Sequence, residues 1–468
     1  MSPEEFRAQA HQVVDWMADY LRDLRDYPVL PQVEPGELID RLPAHGPEHG
    51  EAMEKILADF RDLIVPGLTH WNHPRFHAYF SISASGPGIL GEMLAATLNV
   101  QHMLWKSGPA ATELEQVTLG WLREWLGLPE EFFGIIHDTA STASMHAVLA
   151  ARELAAPEAR LTGNHPPLIL YESQHTHSSV DKGALCVGIG RENIRHVAAD
   201  AEFRMLPGAL EAAITEDLAA GRKPFCVVAT LGTTSSSSID PLKEIAALAR
   251  RFDLWLHVDA AYGGPAALLE EHRHILDGCE HADSMVINPH KWLFVPVDLS
   301  VLYTRRPEIM RRALSLDETP AYLVTAEHDR AVNLSEYALA LGRRFRSLKL
   351  WFVMRYYGRE GIRRVLREHL RLAQLLADEI RNDPRFELSA PVPFSLVCFR
   401  YRGADDENRA LLDRVNATGR AFLSGTVLNG KFLLRFAIGN IATTEADIRE
   451  TWELIRSPSE PRATGSPA

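Results

Sequence analysis

Residues 255–262 read Trp-Leu-His-Val-Asp-Ala-Ala-Tyr, and residues 284–292 read Ser-Met-Val-Ile-Asn-Pro-His-Lys-Trp. Each opens as a short apolar run of strand character. Each ends in a group able to do chemistry, Asp259 in the first and Lys291 in the second. The two groups lie 291 − 259 = 32 residues apart, one strand–helix–strand unit. Adjacent parallel strands joined by such a unit deliver their ends to the same edge of a sheet. A carboxylate there serves as a metal ligand, a general base, a helix N-cap or a partner for a cationic ring nitrogen. A lysine past a strand end, between His290 and Trp292, can be desolvated enough to act as a nucleophilic amine. The plain alternative is a surface lysine.

Outward from this pair, helical stretches alternate with strand-like runs from about residue 85. The runs are Gly134–His137, Leu168–Tyr171, Phe225–Thr230, Leu254–Val258, Ser284–Ile287 and Leu299–Tyr303. The alternation predicts an α/β fold around a mainly parallel sheet, with catalytic groups at the carboxyl ends of the strands. A long helical region is predicted over 336–383. Strand-like runs at Leu396–Tyr401 and Phe432–Ala437 then predict a smaller α+β domain. At the start, a helix is predicted over 2–27, broken by Pro28, Pro31 and Pro35, with further helical pieces at 36–42 and 48–65. This opening has a narrow apolar stripe and no strands, so it is expected to pack on another domain or a second subunit. The expected organisation is a helical arm at 1–84, a large α/β domain at 85–357, a small α+β domain at 358–458 and a disordered tail at 459–468.

The 468 residues are 46% hydrophobic and 24% charged, the profile of a folded globular chain. Lys and Arg number 49 against 62 Asp and Glu, a formal charge of −13, which disfavours nucleic acid and anionic membranes. The N-terminus MSPEEFRAQA has no apolar core and no long apolar run follows, so neither a signal peptide nor a membrane span is expected. Cys186, Cys226, Cys279 and Cys398 form no C-x-x-C pair and suit a reducing, cytoplasmic setting.

Asp138-Thr139-Ala140-Ser141-Thr142-Ala143-Ser144 lies between a strand and a helix predicted over 143–155. Small and hydroxylated residues at a helix start suit a phosphate, or simply cap the helix. His175-Thr176-His177-Ser178-Ser179 follows another strand, and His177 could stack on a planar cofactor. A metal is not expected there, since no third ligand is near, nor at His70, His73 and His77, which sit in an aromatic stretch. Gly86-Pro87-Gly88-Ile89-Leu90-Gly91 matches G-x-G-x-x-G, but Pro87 removes an amide where a pyrophosphate needs one. The basic run Arg343-Arg344-Phe345-Arg346 with Lys349 is expected on a helix as an ion-paired or interface face. Lysine nucleophile, aspartate, phosphate cup and stacking histidine together describe a pyridoxal-phosphate site.

The chain also resembles the group II pyridoxal-phosphate decarboxylases, most of all those acting on aromatic L-amino acids, over residues 4 to 456. The resemblance rests on HPRFHAYF (73–80), TELE (112–115), HSSV (177–180), ATLGTT (229–234), WLHVDAAY (255–262), NPHKW (288–292), LGRRFRSLK (341–349) and LRFAI (434–438). It implies a fold type I pyridoxal-phosphate enzyme, a homodimer whose helical arm wraps the partner. It implies that Lys291 carries the cofactor's aldehyde, Asp259 pairs with the ring nitrogen and His177 stacks on the ring. Ala140, Ser141 and Asn288 would hold the phosphate, Thr234 and Ala261 would contact the ring region, and His290 would lie beside the lysine. Tyr322, in the segment 316–333, would protonate the substrate carbon.

The same resemblance puts Trp71, Tyr79, Phe80, Ile82, Gln101 and Met103 around the substrate. Where relatives carry a threonine, Ile82 stands here, which disfavours a catechol and suits an unsubstituted ring. Asp138 and Thr142 replace a glycine and a glutamate of the common phosphate loop. The implied reaction is decarboxylation of an L-amino acid, aromatic in the first instance. The alternatives are oxidative release of an aldehyde on the same scaffold, a non-aromatic substrate, or a catalytically silent homologue.

Overall fold

The first six strand-like runs fall in one sheet because most of them are apolar on both sides. The computed structural model describes residues 1–316, 320–327 and 330–457, apart from the side chain of Tyr322. Its first seven strands are β1 (Phe133–His137), β2 (Leu168–Ser173), β3 (Ile194–Val197), β4 (Lys223–Thr230), β5 (Trp255–Asp259), β6 (Ser284–Ile287) and β7 (Ser300–Thr304). Every residue of β2, β5, β6 and β7 is buried, as a sheet covered on both faces requires. The spatial order is β1-β7-β6-β5-β4-β2-β3. β7 runs antiparallel to both its neighbours, and the other pairs are parallel. The α/β expectation is met, with strand ends displaced by one or two residues in most cases. β3 was not predicted: its four residues, Ile-Arg-His-Val, are too short and too polar to register as an apolar run.

The chain divides into two compact units, one of residues Met1–Ser81, Leu375–Glu387 and Phe399 onward, the other of Ile82–Gln374 and Leu388–Cys398. In the second unit an alanine-rich helix, Ala140–Ala155, lies on the sheet. Its Ala143, Ala147, Ala150 and Ala151 share a core with Leu168, Leu170, Val228, Val286 and Leu302. Helix Ser179–Cys186 lies close to it at Gly183, where an added Cβ would come 3.1 Å from the Met145 backbone. These two helices carry the phosphate-loop and His177 candidates at their starts.

The G-x-G-x-x-G match opens helix Gly86–Leu98. A Cβ on Gly88 would lie 2.4 Å from Pro296 Cδ and one on Gly91 2.7 Å from Lys349 Cα, so these glycines serve close packing. The basic run is ion-paired as expected: Arg343 with Glu115 at 2.7 Å, Arg344 with Glu92, Arg346 with Asp298 at 3.0 Å and Lys349 with Glu92 at 2.8 Å. Its predicted helix begins later, at Ser347, so the three arginines precede it. That helix, Ser347–Asn382, is interrupted at Gly358, whose φ of 62° is left-handed.

In the first unit, helix Pro3–Arg22 starts on a reciprocal cap: Glu5 N–H donates to Ser2 Oγ at 3.1 Å and Ser2 N–H to Glu5 Oε2 at 2.6 Å. None of its residues is buried, and Phe6, Val14 and Leu21 are exposed. The segment after it is bound within the unit, with Arg25 on Asp447 at 3.0 Å and Val29, Phe76, Ala78 and Phe422 in one cluster. A four-stranded sheet has the order β10-β11-β9-β8, with β8 (Phe386–Leu388), β9 (Leu396–Tyr401), β10 (Ser424–Leu428) and β11 (Lys431–Ala437). β9 and β11 match the predicted runs. The tail expected at 459–468 lies outside the described residues. Among the described residues no helix is long and apolar enough to cross a membrane.

Candidate active site

The carboxyl ends of β1, β2, β4, β5 and β6, and the turns that leave them, carry the predicted cofactor-site residues. The helix after β1 begins at Ala140, three residues before the predicted 143. Ala140 and Ser141 therefore lie in its first turn. Among the described hydrogen bonds none uses the N–H of Ala140, Ser141 or Thr142, while Ala143 N–H already donates to Thr139 O at 3.1 Å. Such a turn concentrates unpaired donors and the positive end of the helix dipole. The carboxylate of Asp138 is engaged locally, accepting the Thr139 N–H at 2.6 Å.

Asp259 ends β5, buried, and its Oδ1 accepts the Ala261 N–H at 3.1 Å. The backbone then ties the next turn to this one, because Asn288 N–H donates to Ala261 O at 3.1 Å. Asn288 Oδ1 accepts Ser300 Oγ–H at 2.7 Å, which fixes the amide beyond β6. Pro289 opens a single helical turn, Pro289–Trp292, and this turn presents Lys291, which is half-buried. His290 is buried, and its Nδ1 accepts the Leu299 N–H at 3.0 Å. Burial and the neighbouring Lys291 charge push that imidazole down to about 4, so it is neutral.

His177 follows β2 and is solvent-exposed as a residue. Its Nδ1 accepts the Ser179 N–H at 3.2 Å and lies 2.7 Å from Ser179 Oγ. The neutral ring therefore carries its proton on Nε2. Desolvation holds its pKa below the ordinary value; the Asp259 charge opposes this, while Lys291 and Lys182 reinforce it. His177 thus lies within electrostatic reach of both Asp259 and Lys291. Thr234 is half-buried in the turn after β4. That turn meets the one after β5 at Gly263, whose N–H donates to Leu231 O at 3.1 Å and whose added Cβ would lie 2.3 Å from the same oxygen.

One supporting residue escaped the sequence reading. His257, two residues before Asp259, is fully buried. Its Nε2 lies 3.1 Å from Ser144 Oγ on the phosphate-loop helix, and its Nδ1 lies 2.9 Å from Ser284 Oγ on β6. Burial pushes it down to about 4 against the Asp259 charge, so a neutral imidazole links three of the site's elements. The signal was present in Trp-Leu-His-Val-Asp, where a period of two puts His257 and Asp259 on one face of the strand.

The remaining candidates are placed as follows. Gln101 Oε1 accepts the Met103 N–H at 2.7 Å, Met103 O accepts the Ser335 N–H at 3.1 Å, and Ile82 is half-buried. In the other unit Trp71 stacks on Phe76 at 4.3 Å and on Tyr79 at 5.6 Å, and Arg435 lies over the Phe80 ring at 5.3 Å. Tyr79 is 53% exposed with a φ of 52°, a strained value for an aromatic residue. His70 bonds Tyr20 at 2.8 Å, His73 accepts the Arg75 N–H at 2.9 Å, and His77 bonds Ala437 O at 3.2 Å. The backbone of Tyr322 lies in a short turn, Ala321–Leu323; its side chain lies outside the described residues.

This donor set fits pyridoxal phosphate. A helix start with three unused amides would suit a phosphate, a buried strand-end carboxylate a protonated ring nitrogen, the face of an imidazole a planar ring and a lysine amine an aldehyde.

The pyridoxal-dependent decarboxylase conserved domain matches residues 35–402. Tyrosine decarboxylase 2 of Arabidopsis thaliana is 42% identical over 97% of this chain and 87% of its own length. The crystal structure of Oryza sativa TDC with PLP and tryptamine superposes with a TM-score of 0.94 at 37% identity, covering 97% of this chain and 98% of that one. Rhodiola rosea 4-hydroxyphenylacetaldehyde synthase superposes with a TM-score of 0.91 at 38% identity, with the same coverage of each chain. The unused helix amides, the strand-end aspartate and the lysine turn thus sit on a scaffold shared across the full length, and the chain belongs to the pyridoxal-dependent decarboxylase family.

Proposed function

We propose that this chain converts an aromatic L-amino acid to its amine and CO2. The observation that carries this reading is the meeting of Lys291, Asp259 and His177 at one sheet edge beside the open first turn of Ala140–Ala155. The cofactor is pyridoxal 5′-phosphate. When bound, it supplies an aldehyde that takes the substrate amine and a cationic ring that accepts the electron pair left by CO2.

The chain's own groups do the rest. The amides of Ala140 and Ser141 and the side chain of Asn288 hold the phosphate. Asp259 keeps a proton on the ring nitrogen, and His257 braces that carboxylate's strand. Lys291 would hold the aldehyde carbon through its amine. His177 would cover the ring and would offer its Nε2–H to orient the substrate carboxylate. Thr234, Ala261 and His290 complete the cofactor's surroundings. Tyr322 returns a proton to the substrate Cα. Ile82, Gln101 and Met103 would face the side chain, and an apolar Ile82 suits a ring without a catechol.

Oxidative release of an aldehyde is the second reading, because an aldehyde synthase shares the fold as fully as a decarboxylase does. Purified protein with pyridoxal phosphate is tested against the twenty amino acids and DOPA while CO2, amine and peroxide are followed. Amine equal to CO2 without peroxide supports decarboxylation; peroxide and aldehyde matching CO2 supports the oxidative branch. The same reading includes a homodimer, supported by the uncovered Phe6, Val14 and Leu21 of the opening helix. It includes a cytoplasmic location, supported by cysteines that are all free thiols.

A further inference from the structure

Strands β2 and β3 place a second group of ligating side chains beside the cofactor edge. Glu172 on β2 is the register partner of His196 on β3, and helix Ser179–Cys186 brings Asp181 over them. One ligand atom from each of the three lies within 4.8 Å of the other two. Glu172 Oε1 is 3.4 Å from His196 Nδ1, and His196 Nε2 is 3.6 Å from Asp181 Oδ1.

Glu172 is the telling member. It is 0% exposed, and its carboxyl oxygens find no donor outside this group, where only Asp181 and His196 lie against them. Burying a carboxylate without partners is costly, and native structures rarely tolerate it. The neighbouring cation on β3 offers no relief, because Arg195 pairs with Glu216 at 2.8 Å and Asp217 at 3.2 Å. The charge of Asp259 adds to that of Asp181 against Glu172. The site therefore has two oxygen donors, one imidazole and a surplus of negative charge.

We propose that Glu172, Asp181 and His196 form a binding site for a divalent transition-metal ion of the zinc class. An imidazole with two carboxylates suits zinc or manganese, whereas magnesium and calcium favour oxygen ligands alone. At bond lengths of about 2.1 Å, tetrahedral ligands stand about 3.4 Å apart, close to the separations found here. Half of His196 is exposed and Asp181 is part-exposed, so an ion has a route in. The ion would act on the enzyme through position. Glu172 precedes and Asp181 follows the turn that carries His177, so one ion would fasten both ends of that turn. This site is independent of the substrate reading above.

The test is a calorimetric titration of the dialysed holoenzyme with zinc chloride, paired with thermal melting. Wild type should bind one zinc per chain at this site and melt at a higher temperature with zinc present. Glu172→Gln and, separately, His196→Gln should each weaken that binding at least tenfold and abolish the zinc-dependent rise, with the cofactor absorbance unchanged. Zinc binding of undiminished affinity in both variants, or no stoichiometric binding by wild type, overturns the proposal. Using two variants on different strands guards against one that fails to fold.

Discussion

Two histidine-rich segments, 70–77 and 175–177, read alike as strings of letters and behave oppositely in the folded chain. His73 and His77 are fully buried. Each spends its Nδ1 on the backbone, and His77 also stacks on Phe436 at 4.0 Å. Burial pushes them down to about 4 and about 3, so both are neutral core residues. His177 also bonds locally through Nδ1, but it stays exposed and faces the fields of Asp259 and Lys291. His175 beside it meets Phe203 edge-on at 5.3 Å. Residue type does not separate these cases. Position does: a turn at the carboxyl end of a parallel strand leaves a side chain available, whereas a segment packed on β11 does not.

Lys291→Ala should lower turnover by about 10³-fold or more and remove the cofactor's lysine-linked absorbance, because no other group holds the aldehyde carbon. Product formation near the wild-type rate would remove Lys291 from the chemistry. Asp259→Asn should retain cofactor and lose about 10²-fold in kcat, since an amide does not stabilise a cationic ring nitrogen; a near-normal kcat would reject that role. The two histidine segments then separate cleanly. His177→Gln should cost about tenfold or more in kcat with an unchanged melting temperature. His77→Ala should instead cost about 2–4 kcal/mol of stability with kcat per folded molecule preserved. If the two variants show the same pattern, the distinction between them fails.

The α/β alternation was legible because β2, β5, β6 and β7 are buried on both faces and so appear as continuous apolar runs. The adjacency of the strands that lead to Asp259 and Lys291 was legible for the same reason, since two such apolar runs one strand–helix–strand unit apart are neighbours in a parallel sheet. β3 was not, because Arg195 and His196 sit on an edge strand of four residues that needs no apolar run. The early start of the phosphate-loop helix was hidden by Ala-Ser-Thr, which serves a loop or a first turn equally well. The role of His257 was hidden because its partners, Ser144 and Ser284, are respectively 113 and 27 residues away, and only the fold brings them together. Gly88 and Gly91 show the converse, a motif that fits a nucleotide loop on paper and serves helix packing in the molecule.

The smallest expected effect is a slope with pH, and it belongs to the buried segment. The His77 pKa falls from 6.5 to about 3 on folding, mainly through desolvation. A proton therefore binds the unfolded chain first. The stabilisation from keeping His77 neutral is complete above pH 6.5, begins to fade as pH falls below 6.5, and is spent once pH passes the folded value. Between pH 6.5 and 5 this single group should contribute a loss of about 2 kcal/mol. His77→Phe keeps a ring stacked on Phe436 and removes the titration. Its stability should decline less steeply than that of wild type over this range, while the other buried histidines contribute equally to both proteins. Urea midpoints measured at pH 7, 6 and 5 decide the matter: a wild-type curve that falls more steeply than the variant's supports a neutral, structural His77, and parallel curves mean that its proton plays no part in folding.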